Sequence, residues 1–158
     1  VLEDLWERDA GLNGGISYLG VDLSQTSLSA GEAAAVAWAF SEGRDAQLVQ
    51  GTYEELVKQG YISGEPLEES DAVFWEWKDG ILFSITETDE PVTFNLPAMG
   101  VDDGGSADMS QFNVSDTVSF DAQKWRSGLG AYIFSGCTAV RNNAGHWGGY
   151  TVGSEMIS

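Results

Sequence analysis

Two periodicities follow one another along this chain, and their order constrains the fold more than any other feature. Helical spacing occupies about the first sixty residues; strand alternation takes over from Ala72. Ser29 and Glu32 form an S-x-x-E capping box, in which each side chain satisfies a free backbone donor of the other. The box predicts a helix running from there to near Gly43. Its stretch 33–40 (AAAVAWAF) is apolar on every side, a pattern expected of a helix buried at the centre of a domain. Thr52 and Glu55 make a second box, with Tyr53, Leu56 and Val57 as one apolar face and Gly60 placed to end the helix. Leu2, Leu5 and Trp6 recur at helical spacing and predict a short first helix over 2–9. Between these helices, 16–21 (ISYLGV) reads as a strand and 47–49 (QLV) as a short extended link.

The second half reads as strands. Residues 72–78 (AVFWEWK) and 81–88 (ILFSITET) flank Asp79-Gly80, a two-residue loop that is among the strongest hairpin signals. In that register Trp75 would face Ser84, and Trp77 would face Leu82. A further strand is expected over 92–96 after a turn at 89–91. A polar, glycine-rich loop is expected over 100–116, and two last strands over 131–141 and 146–152 around a turn at 142–145. Residues 61–71 read as an acidic loop. Helices first and strands afterwards give an α+β fold, with N-terminal helices packed on a curved, mainly antiparallel sheet in a single domain spanning 1–158. This layout resembles cystatin-like and NTF2-like folds. The resemblance is one of arrangement only and carries no function.

Charge limits the partners. Asp and Glu number 25 against 7 Lys and Arg, a formal net of −18. Nucleic acid binding requires basic groups that displace counterions from phosphates, and adhesion to anionic membranes requires the same. Neither is expected, and no apolar run is long enough to insert in a bilayer. The chain opens at Val1 in an acidic amphipathic segment that is no signal peptide. The expectation is a secreted or cell-surface protein with its leader removed; a cytoplasmic protein is the alternative.

The chemistry-bearing residues are few. Cys137 and His146 are the lone cysteine and the lone histidine, so a disulfide within the chain and a cysteine-rich zinc site are excluded. On a hairpin turning at Asn143-Ala144, Cys137 would lie opposite Tyr150 and stand four rungs from His146. That is roughly 13 Å, too far for proton transfer. Cys137 then reads as a small buried hydrophobe. Asp102, Asp103 and Asp108 sit in a glycine-rich loop, but Gly104 and Ser106 occupy positions where the EF-hand pattern calls for Asp or Asn. No metal or cofactor is expected. Glu76 lies between two tryptophans, where burial would raise its pKa and a rim position would keep it wet. Phosphate-loop, dinucleotide and nucleophile-elbow motifs do not occur.

What remains is the aromatic hairpin. Trp75, Trp77 and Ser84 are the candidate ligand-binding residues, since tryptophan on an open sheet face stacks on sugars and on partner side chains. The expected function is a non-enzymatic, extracytoplasmic binding or interaction domain for a peptide, protein or glycan. A small hydrolase acting through its acids and a structural module of a larger surface protein are the alternatives.

Overall fold

A computed structural model describes residues 1–89, 117–141 and 147–158. The described elements begin with α1 (Leu2–Glu7), a 3-10 turn (Ala10–Asn13), β1 (Tyr18–Gln25), α2 (Ala30–Ser41), β2 (Gln47–Gln50) and α3 (Tyr53–Lys58). They continue with β3 (Ser63–Pro66), β4 (Val73–Glu76), β5 (Gly80–Thr88), β6 (Thr117–Ser127), β7 (Gly130–Arg141), β8 (Trp147–Thr151) and β9 (Ser154–Ile157). The result is a mixed α/β fold with a large, mostly antiparallel sheet and few helices. The strands expected at 92–96 and the loops expected at 100–116 and 142–145 lie outside the described residues, as does His146.

Both capping boxes form. Ser29 Oγ accepts from Glu32 N at 3.2 Å and Glu32 Oε2 accepts from Ser29 N at 2.7 Å. Thr52 and Glu55 repeat the exchange at 3.2 and 2.8 Å. Gly60 follows the end of α3 with φ of 84°, the left-handed conformation that stops a helix. The helix begun at Ser29 is not buried all round, however. It sinks Ala37 and Phe40 into the core but leaves Trp38 64% exposed, and Val36 is exposed as well. Its alanines let the backbone lie close to β1 and β2, while its outer side faces away from the sheet.

The sheet departs from the expected order. β1 pairs in parallel with β2 on one side and with β5 on the other. Residues 47–49 are therefore part of an edge strand rather than a link. β5 pairs antiparallel with β6, and β6 with β7, which carries β8 and β9 along its far side. β6 holds the middle of the sheet, and its sequence had shown no clear strand signal. Its inward side begins apolar at Phe120 and Ala122 and then presents Lys124, which breaks the alternation.

The expected hairpin at Asp79-Gly80 does not exist. β4 pairs with β3, inside the supposed acidic loop, and its ladder with β6 is the single pair Glu76–Ser127; no ladder joins β4 to β5 among the described residues. The Asp79 carbonyl instead accepts from Ser17 N at 2.6 Å and Tyr18 N at 3.0 Å, and so delivers the chain alongside β1. Glycine is needed at 80 for another reason. A Cβ there would lie 2.0 Å from Trp77 Cε2, and one at Gly20 would lie 2.7 Å from Trp77 Cζ3. The Asp-Gly pair marks the place where an indole lies against the sheet.

Two apolar clusters result. The larger joins Leu5, Leu19, Val21, Phe40, Ile81, Phe83, Phe120, Phe134 and Cys137 under α1 and α2. The smaller joins Leu56, Ile62, Trp77 and Leu82, with Tyr18, Tyr53, Tyr61 and Trp125 around them. Ile81 and Phe83 enter the first cluster and Leu82 the second, as strand alternation requires.

Cations fasten the N-terminal segment over the larger cluster. Lys124 is fully buried. Its ammonium donates to the main-chain carbonyls of Trp6 and Arg8, to that of Asp9 at 3.1 Å, and to Asn13 Oδ1 at 3.1 Å. These carbonyls belong to the C-terminal end of α1, where a helix leaves acceptors unpaired and favours positive charge. Burial pulls the Lys124 ammonium below the usual lysine range, and Asp9 and Glu7 pull the other way. Arg126 donates to the carbonyls of Leu12 at 2.9 Å and Lys78 at 2.8 Å. Arg44 pairs with Glu3 at 2.6 Å and lies over the rings of Trp6 and Phe40.

Candidate functional site

The structure separates the three residues expected to share a ligand face. Trp77 is 0% exposed and forms the centre of the smaller cluster, its ring 5.7 Å from Tyr61 and 6.4 Å from Tyr18. Its indole N–H has no hydrogen-bond partner among the described residues. Ser84 lies in mid-sheet on β5, opposite Asp22 on β1 and Gln123 on β6, and is 8% exposed. The expected facing of Trp75 with Ser84, and of Trp77 with Leu82 as ladder partners, fails because β4 and β5 are not neighbours. Leu82 does meet Trp77, but by packing in the same cluster.

Trp75 remains at the surface, 36% exposed, on the two-stranded ribbon of β3 and β4 at one end of the sheet. Alternation puts Val73 on the same side of β4 as Trp75, and both are exposed, as is Leu67 at the end of β3. Gly64 pairs with Trp75 across the ribbon. A Cβ at Gly64 would lie 2.6 Å from Val73 Cγ1 and 3.1 Å from the Trp75 ring. The indole and the valine thus rest against bare backbone, where any larger residue would prop them away. Glu65, Glu68, Glu69 and Asp71 flank this strip and are exposed; Lys78 pairs with Glu65 at 2.9 Å. That pairing holds the Glu65 carboxyl below its ordinary range.

Sequence reasoning named Trp75 as a candidate and did not name Val73, Leu67 or Gly64, its neighbours on the ribbon. The alternation of Val73 with Trp75 was legible; their position depends on β3, hidden in a stretch that reads as loop because of its Gly, Pro and acids. Glu76 sits half-buried where the ribbon meets β6, opposite Ser63 and Ser127.

Cys137 is fully buried in the larger cluster, opposite Phe120. Burial first, and then the nearby Asp121 carboxylate, push its thiol up to about 11. A thiol so placed is inert as a nucleophile near neutral pH. Tyr150 lies opposite Ala139 rather than Cys137: Arg141 already pairs with Trp147, one residue off the expected register, and a bulge between Ala139 and Arg141 adds one more. The Tyr150 hydroxyl donates to Asp4, and burial raises its pKa well above the ordinary tyrosine value. Among the described residues no group of three or more His, Cys, Asp or Glu side chains could hold a metal ion. No described helix is long and apolar enough to cross a membrane.

The fold and the ribbon define a class and no more: a mixed α/β protein with a large sheet that presents an apolar, acid-rimmed strip at one end. No family model matches this chain, and no curated protein or solved structure matches it either.

Proposed function

We propose that this chain is a binding or interaction domain whose contact surface is the β3–β4 ribbon, and that its partner is a protein or peptide segment carrying apolar and basic side chains. The observation that carries the reading is the exposed indole of Trp75 lying against Gly64 beside Val73. A rigid aromatic held flat at the surface contributes large contact area at small entropic cost, the usual makeup of an interface anchor. The flanking carboxylates add selectivity. In a chain with net charge −18 they favour a basic partner, hasten its encounter and repel acidic ones.

Selection from a library of displayed extended peptides, with cell-wall glycans screened in parallel, tests the reading. Basic–apolar peptides should be enriched, and Trp75→Ser should weaken their binding by about 2 kcal/mol without lowering the melting temperature appreciably. Selected binders indifferent to Trp75→Ser would overturn it. Enrichment of glycans alone would move the site to a different ligand class.

A further inference from the structure

We propose a second site, independent of the Trp75 surface: a crevice at the C-terminal ends of β1 and β2 that takes a small organic cation, an ammonium or guanidinium group on a short apolar body. The crevice has a volume of about 400 Å³, within the range of small-ligand sites. Topology explains its position. β1 and β2 are adjacent parallel strands, each followed by a helix, so α2 and α3 start at the same end of the sheet. The space beyond the carboxyl ends of parallel strands is where such sheets bind ligands. A bulge in β1 between Asp22 and Gln25 lies at this end, and bulges re-aim side chains out of the regular pleat.

The lining decides the ligand class. Leu23, Ala33 and Ala37 are among its apolar lining, and Asp22, Gln50 and Glu55 among its polar lining. Asp22 is held in place, its Oδ1 accepting from Ser24 N at 2.9 Å and Ser24 Oγ at 2.6 Å. Helix starts of this kind ordinarily attract phosphate through their free N–H groups. Here two of the free donors at each start are already committed. Ser29 N and Glu32 N are taken up by the first capping box, and Thr52 N and Glu55 N by the second. An anion would meet the carboxylates of Asp22 and Glu55 beside the donors that remain. A cation with hydrogen-bond donors would find charged acceptors in a crevice that also has apolar lining, a pairing stronger than one between neutral groups.

The test uses butylammonium and butylguanidinium, with inorganic phosphate as the contrasting probe, at a constant ionic strength of about 0.15 M. Amide chemical shifts of the whole chain are followed by NMR. Both cations should give saturable shifts centred on Ser24, Gly51 and Thr52, and phosphate none. The double variant Asp22→Asn, Glu55→Gln should weaken them roughly tenfold. Glutamine at 55 preserves the capping box, so the helix start survives the change. If the double variant proves unstable, Asp22→Asn alone carries the test, with a smaller loss expected. Trp75→Ser should leave the shifts untouched, which separates this site from the ribbon. Shifts that never saturate, that spread evenly over the acidic surface, or that persist in the variants would overturn the proposal. So would saturable phosphate shifts at the same amides.

Discussion

The two faces of the sheet are built on different principles. Beneath α1 and α2, the larger cluster is broad and aliphatic–aromatic, and it is closed by polar clips: Lys124 on the end of α1, Arg126 on the following turn, and Arg44 on Glu3. The opposite face has a small cluster organised around one residue, Trp77, whose ring fits over two glycines and whose N–H has no partner among the described residues. The first face distributes its stability over many contacts. The second concentrates it, and the ribbon that presents Trp75 leaves the sheet just beyond it. A surface ribbon can thus be positioned by a single buried neighbour.

The largest effect expected from this difference is at Trp77. Trp77→Ala should cost about 4 kcal/mol, through lost transfer energy and the cavity left beside Gly20 and Gly80. Hydrogen exchange should show the loss unevenly. Protection should fall first over α3 and the β3–β4 ribbon, while β5, β6 and β7 retain more of theirs. Uniform loss across the molecule would show that the two clusters melt as one unit and would remove the distinction drawn between the faces.

An effect of about 3 kcal/mol is expected at Lys124. Lys124→Met fills much of the same volume, but it removes the donor of the Arg8 carbonyl and of the Asn13 side-chain oxygen, while the Trp6 carbonyl keeps Asn13 Nδ2 at 2.7 Å and the Asp9 carbonyl keeps Leu12 N at 3.0 Å. Urea denaturation should show a lowered midpoint with little change in slope. Adding Asn13→Leu should not recover the loss, since the Asn13 Nδ2 that still serves the Trp6 carbonyl is then gone as well. If Lys124→Met were as stable as the parent chain, the clip would be incidental, and packing alone would hold the N-terminal segment.

How much of this was legible follows from which signals are local. Ser29–Glu32 and Thr52–Glu55 are self-contained chemical devices, and both helices start where they point. Cys137 was readable as core because its strand is apolar on either side of it. Strand partnership was not legible, because pairing is a contest among distant segments. Asp79-Gly80 carries a strong hairpin signal, yet the parallel partnership of β1 with β5 and the packing of Trp77 against Gly80 prevail over it. β6 was missed because Lys124 sits where alternation calls for an apolar residue. That lysine finds its partners 111 to 118 residues earlier in the chain. The site suffered in the same way: two tryptophans two residues apart look alike in sequence, and only the fold makes one of them core and the other surface.

The smallest expected effect concerns Cys137 and sharpens the comparison from the side of the larger cluster. Its thiol is raised from 9.0 to about 11, chiefly by burial, so the folded state holds its proton where the unfolded chain releases it. The sign follows from linkage. Below about pH 9 both states are protonated and Cys137 contributes no pH dependence; from there to about 11 the unfolded chain binds fewer protons and stability falls. By pH 10 the loss should reach about 1 kcal/mol. Other groups also titrate in this range, Tyr150 among those coupled to Cys137, so the measurement is a difference. Stability is followed from pH 8 to 10 for the parent chain and for Cys137→Ala, and the two curves should converge as pH rises. Parallel curves would mean that solvent reaches the thiol and that the larger cluster is less tightly closed than its clips imply. A thiol reagent at pH 8 gives the independent check: native Cys137 should react only on the timescale of unfolding, and urea should release it.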